Sequence, residues 1–132
     1  MTFELTMLIW TLLLALLQIF AFAIARTAQY GSKWNAGPRD TPMPPLNPIA
    51  ARLKRAQANL FETLPLFIAA VLIAHAAGRE GNLTTWGVQL YFSGRVIYLP
   101  LYVFGVPYVR SLAWVVSLAG LGMILFAVLK PA

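Results

Sequence analysis

Long apolar runs broken by short polar stretches set the pattern of this chain. The first run, about 5–25, is interrupted only by Thr6, Thr11 and Gln18, and it reaches the roughly 20 residues that cross a bilayer as a helix. Its length and Glu4 favour a span over a cleaved signal peptide. Three more runs follow, at about 55–77, 83–104 and 108–129. The pattern predicts an all-α integral membrane protein, one domain of four transmembrane helices over residues 1–132. Between the first two spans lies a long loop, 26–54, containing Pro42, Pro44, Pro45 and Pro48. Proline lacks an N–H and disfavours helix in the residue before it, so the loop is expected to be extended, a surface segment or a lid. Pro65 inside the second run is expected to kink its helix or relieve its packing. Gly120 and Gly122 in the last run suit close helix contact.

Two polar stripes stand out against this background. Arg55, Asn59 and Glu62 are spaced i, i+4, i+7, so a helix puts them on one face. Arg95, Tyr98 and Tyr102, at i, i+3, i+7, do the same in the third run. Ionisable groups inside a span are costly and mark function by default. One alternative is structural: Glu62 is the intramembrane acid available to pair with Arg95 and fix the bundle. Yet Arg26, Arg52, Arg55, Arg95 and Arg110 outnumber Glu62 and Asp40 in this part of the chain. The surplus suits an anionic ligand with carboxylates. Tyr98 and Tyr102 add hydroxyls, and Asn59 and Gln57 add amides. Arginine or tyrosine donors beside a bound thiol would stabilise its thiolate.

Composition sharpens the class. Hydrophobic residues make up 60% of the 132 and charged residues 11%, against about 45–50% apolar in soluble domains. The net charge of +6 does not imply nucleic acid, because the basic residues crowd the first loop. If four spans are drawn, Arg26, Lys33, Arg39, Arg52, Lys54, Arg55 and Arg110 fall on one side, and Arg79 and Lys130 on the other. The positive-inside rule then puts the long loop in the cytoplasm and both termini opposite. All four helices would deliver polar groups to the cytoplasmic leaflet. Cysteine is absent, which excludes disulfides and thiolate nucleophiles of the protein's own. His75 has no partner ligands in the sequence, so no metal site is expected. Glu4 looks merely terminal. Trp10, Trp34, Trp86 and Trp114 read as interface anchors or packing.

These residues resemble the MAPEG family, the membrane-associated proteins of eicosanoid and glutathione metabolism, in a bacterial-type form. The family includes microsomal glutathione transferases, leukotriene-C synthase and microsomal prostaglandin-E synthase. Arg55-Ala56-Gln57-Ala58-Asn59-Leu60-Phe61-Glu62 is similar to the family's Arg-Ala-x-x-Asn-x-x-Glu signature. Arg95-Val96-Ile97-Tyr98, then Tyr102 and Arg110, is similar to its helix-three motif and the arginine opening helix four. The resemblance covers nearly the whole chain.

It implies a homotrimer in which glutathione, as co-substrate, lies between neighbouring subunits near the cytosolic side. Carried over, Arg55, Gln57, Asn59, Glu62, Arg95, Tyr98 and Tyr102 would hold glutathione. Arg26 matches a helix-one arginine by position. Glu62 would meet the amino group and the arginines the carboxylates, with Arg110 and Tyr102 stabilising the thiolate. The expected activity is a transferase or peroxidase acting on lipophilic electrophiles or lipid hydroperoxides. Phe61, Phe92 and Phe104 are among the apolar residues available to shape the electrophile site. Membrane lipids are the other expected partners. The membrane would be the inner membrane of a bacterium or the endoplasmic reticulum of a eukaryote. The rival is a non-catalytic lipid-binding or scaffold member of the same fold; a small transporter or channel subunit ranks below it.

Overall fold

Thr2 starts the first helix: its hydroxyl accepts from the Leu5 N–H at 3.3 Å, a cap for an otherwise unpaired donor. The computed structural model describes residues 1–131, all of whose regular structure is helical. The helices are α1 (Phe3–Tyr30), α2 (Ser32–Ala36), α3 (Pro48–Ala76), α4 (Asn82–Val103) and α5 (Val109–Leu129). α1 therefore runs a full turn beyond Arg26. It ends where Gly31 takes a φ of +94°, a conformation that side chains with a Cβ avoid. α3 begins seven residues before the expected span, at Pro48. There Asn47 Oδ1 accepts from Ala50 N at 2.8 Å and proline occupies the first helical position, where its missing N–H costs nothing. α3 continues through Pro65, and α4 through Pro100.

The expected count of four apolar spans is met only in part. Three helices are long and apolar enough to cross a membrane: α1, α3 and α5. α4 is 22 residues long, about 33 Å at 1.5 Å per residue, but Gln89, Arg95 and its small and polar residues lower its hydropathy. The fifth helix is the five-residue α2 within the first loop.

The proline segment of that loop has no regular structure, as expected, and it is tied to the end of α1. The Gln29 side chain donates to Pro45 O at 2.9 Å and accepts from Asn47 N at 2.8 Å. The Tyr30 hydroxyl donates to Pro44 O. The end of α1 thus clasps the proline segment that leads into α3.

The core joins all four long helices. Leu8 and Ala15 of α1, Leu60, Leu64, Phe67 and Val71 of α3, Val88 and Tyr91 of α4, and Leu121 and Ile124 of α5 form one buried cluster. The Phe67 and Tyr91 rings stack at 4.0 Å, and Tyr91 and Thr63 share a hydrogen bond of 2.8 Å between their hydroxyls. α4 and α5 approach most closely. A Cβ on Gly120 would lie 2.5 Å from Gly87 O, and one on Gly94 would lie 2.8 Å from Ala113 O. Gly122, by contrast, has nothing near the position of a Cβ. Close backbone approach between membrane helices needs such small residues. Gly87 and Gly94 supply them on α4 and Ala113, Ser117 and Gly120 on α5.

At the end of the bundle away from the first loop, Glu4 is not a loose terminal acid. It is buried and accepts from the hydroxyls of Thr84 and Thr85, each at 2.9 Å. His75 is not isolated either: its Nδ1 lies 3.2 Å from Glu80 Oε1. Thr2 donates to Glu80 at 2.8 Å, and Arg79 to Lys130 O at 2.9 Å. The α3–α4 turn so ties down both chain ends.

Candidate functional site

Arg95 is the largest fully buried side chain, 1% exposed. α4 carries it one residue after Gly94, against the tight α5 contact. Its Nη1 donates to Asn59 Oδ1 at 2.7 Å, and its guanidinium stands 4.4 Å from the Tyr98 ring centre. Its Nε and Nη2 have no acceptor. Glu62 does not pair with it: the only salt bridge among the described residues is His75–Glu80, and Glu62 is exposed. The ion-pair alternative therefore fails within one chain. The helical register explains why. Asn59 and Glu62 share one broad face of α3 but stand at its two edges: Asn59 reaches Arg95 on α4, and Glu62 is exposed.

Two turns along α4 from Arg95, Tyr102 is held by two arginines. Arg55 Nε donates to its hydroxyl oxygen at 2.9 Å, and the Arg110 guanidinium stands 5.0 Å from its ring centre. The Tyr98 and Tyr102 rings lie 5.5 Å apart. Arg52, Arg55, Tyr102, Gly105, Pro107 and Arg110 line a polar cavity of about 200 Å³ with no acid in its wall. Accepting from Arg55 leaves the Tyr102 O–H hydrogen free to donate. The cavity thus gathers donors and positive charge, a setting for an anion.

Within one chain, then, α3, α4 and α5 bring together Arg55, Asn59, Arg95, Tyr98, Tyr102 and Arg110, with Glu62 at the edge. Two sequence candidates lie elsewhere. Gln57, two residues from Arg55, occupies a nearly opposite face of α3. Arg26 lines a separate cavity between α1, the proline segment and α3. The residue that sequence reasoning left out of the site is Arg52. It donates to Val103 O at 3.2 Å and walls the polar cavity. Its spacing to Arg55 and Asn59, i, i+3, i+7, was the available signal.

The apolar candidates disperse. Phe61 lines an apolar cavity on the outer face of α3, Phe104 is 74% exposed, and Phe92 is half-buried on α4.

The sequence matches the model of the MAPEG family over residues 7–130. The chain belongs to the MAPEG family. The match spans all four long helices and both polar stripes, so the arrangement above is that of a MAPEG protein, one of a family of membrane proteins of glutathione-related transferase and peroxidase type. Searches among curated proteins and among solved structures gave no match.

Proposed function

We propose that this MAPEG protein is a membrane-embedded glutathione transferase or peroxidase acting on lipophilic electrophiles or lipid hydroperoxides. The observation that carries the reading is Arg95, buried with two of its three guanidinium nitrogens unpaired. An arginine desolvated in this way needs an anionic partner. Glutathione offers two carboxylates, an ammonium group and a thiol. In this assignment Arg95, Arg55 and Asn59 hold its carboxylates and amides, assisted by the Tyr98 hydroxyl. Glu62 takes its ammonium group. The thiolate lies against the free O–H of Tyr102 and the guanidinium of Arg110. Proton loss to solvent would leave a nucleophile that these donors stabilise as charge develops. The electrophile would arrive from the lipid side.

Four crossings, with α4 shielded by its neighbours, would put seven basic residues on the loop side and so the loop in the cytoplasm. Glu62, exposed on a helix able to cross a membrane, supports an oligomer, and a homotrimer is the form proposed. A carboxylate facing lipid is costly, and a neighbouring subunit or its ligand would cover it. In such an assembly Gln57 would meet a neighbour's ligand.

The test is thermal unfolding of the detergent-purified protein with reduced glutathione and, in parallel, S-hexyl-glutathione. A ligand that binds only the folded state at 100 times its Kd adds about 2.7 kcal/mol, so a saturable rise in melting temperature is expected. No rise with either ligand at millimolar concentration would overturn the reading in favour of a non-catalytic lipid-binding member.

A further inference from the structure

We infer, resting on the glutathione reading above for the identity of the thiol, that Arg52 is a positioning residue. From α3 it caps the C-terminus of α4 and fixes the turn into α5, and so holds Tyr102 and Arg110 against the same thiolate.

The end of a helix leaves carbonyls that need donors from elsewhere. α4 meets that need with a glycine cap of the Schellman kind. Gly105 takes a φ of +72°. Its N–H donates to Tyr102 O at 3.0 Å, and the Val106 N–H donates to Leu101 O at 2.9 Å. The Phe104 N–H donates to Pro100 O at 3.0 Å. The carbonyls of Pro100, Leu101 and Tyr102 are thus satisfied, and that of Val103 is left. Arg52 Nη1 donates to it at 3.2 Å. α4 has no basic residue in its last turn, and Arg52 brings a cation to this negative helix end from α3. The fit is close: a Cβ on Gly105 would lie 3.1 Å from Arg52 Cζ.

The turn needs such a hold. Phe104, Gly105, Pro107 and Tyr108 are exposed, so little packing fixes them. Tyr108, which opens α5, has a φ of +63°, a conformation costly for a residue with a Cβ. On either side of this turn stand the two groups assigned to the thiolate. Tyr102 belongs to the last turn of α4 and Arg110 to the first turn of α5, with the guanidinium 5.0 Å from the ring centre. A shift of the turn moves one against the other, and donors stabilise developing charge only while they are held in place. α3 grips both ends of the arrangement from adjacent turns. Arg55 Nε holds the Tyr102 hydroxyl at 2.9 Å, and Arg52, three residues earlier, holds the end of the helix that carries it.

The experiment has two arms, both on the detergent-purified full chain. Arg52→Met keeps the apolar stem and removes the donors and the charge, while Arg52→Lys keeps a charged donor. The first arm is hydrogen–deuterium exchange without ligand. Arg52→Met should speed exchange of the Gly105 and Val106 amides at least tenfold, and Arg52→Lys should speed it less. Unchanged exchange in Arg52→Met overturns the cap, whether or not glutathione binds. The second arm titrates the thiolate of bound glutathione by its ultraviolet absorbance. Arg52→Met should move the midpoint upward by about one pH unit, because a less well placed Arg110 stabilises the charged form less. Arg52→Lys should restore most of that shift, and glutathione affinity should change less than about threefold. Added to Arg110→Ala, Arg52→Met should move the midpoint little further, since the two changes act through one group. An equal upward move in the Arg110→Ala background would show that Arg52 acts by its own charge, and no move in either background would give it no part in the thiolate; both overturn the positioning role. Wild-type protein that binds no glutathione overturns the glutathione reading and the thiolate role with it, while the exchange arm still decides the cap.

Discussion

Arg95 concentrates the residue-scale argument. Its charge cannot be shed in a protein, its burial is nearly complete, and Asn59 satisfies only one of its N–H groups. Arg95→Leu is expected to abolish glutathione stabilisation while a folded oligomer survives, because the leucine fills the space without a charge left unpaired. A retained glutathione-induced shift in melting temperature would remove Arg95 from the ligand site. Tyr102→Phe separates two roles. It deletes the O–H proposed for the thiolate but keeps the ring beneath Arg110. We expect kcat to fall on the order of 10²-fold, as for loss of one preorganised donor, with glutathione affinity changed by less than about tenfold. Stopped-flow detection of the thiolate by its ultraviolet absorbance, alongside steady-state rates, measures both.

At the scale of elements, the α4–α5 contact decides where Arg95 stands. Gly87, Gly94 and Gly120 let two backbones meet, and a side chain at these positions has nowhere to go. Gly120→Val should destabilise the protein by about 1–3 kcal/mol, the usual cost of overpacking, and weaken glutathione binding by displacing α4. Gly122→Ala, where a Cβ meets nothing, should leave both unchanged. Thermal unfolding of the two variants checks the pair. The start of α3 has its own device: Asn47→Ala removes the cap on Ala50 N–H and should cost about 0.5–2 kcal/mol. Local chemistry already spelled out this start, since an asparagine before a proline is a helix-opening signal. Apolar periodicity alone missed it, because the first turns of α3 stand outside the apolar run and carry Arg52 and Lys54.

For the whole molecule, the proposed topology and assembly are open to direct labelling. Without native cysteine, Ser32→Cys and Asn82→Cys each report one site. With the loop cytoplasmic, an impermeant maleimide added to intact cells should label Cys at 82 and spare Cys at 32. Labelling of both equally from outside would overturn the four-crossing arrangement. Glu62→Leu should leave the oligomer assembled in detergent, while glutathione affinity drops through loss of the partner for its ammonium group.

The amino-acid order by itself determined the all-helical membrane class, the positions of the long apolar segments and both polar stripes, because helical period and hydropathy are local properties of the chain. It also carried the family, since the signature around Arg55 and Glu62 is a linear one. The tertiary structure alone decided the partners. Arg95 meets Asn59 and not Glu62, because helix rotation sets which flank of α3 faces α4. Glu4 is buried under two threonine hydroxyls from α4, roughly eighty residues away in the chain, a contact that no local pattern encodes. Arg26 and Arg55 share the wall of one cavity only because α1 outlasts its apolar run and Gln29 and Tyr30 fold the proline segment back. Charge and period are written residue by residue, whereas which groups are left without a partner depends on how the helices pack.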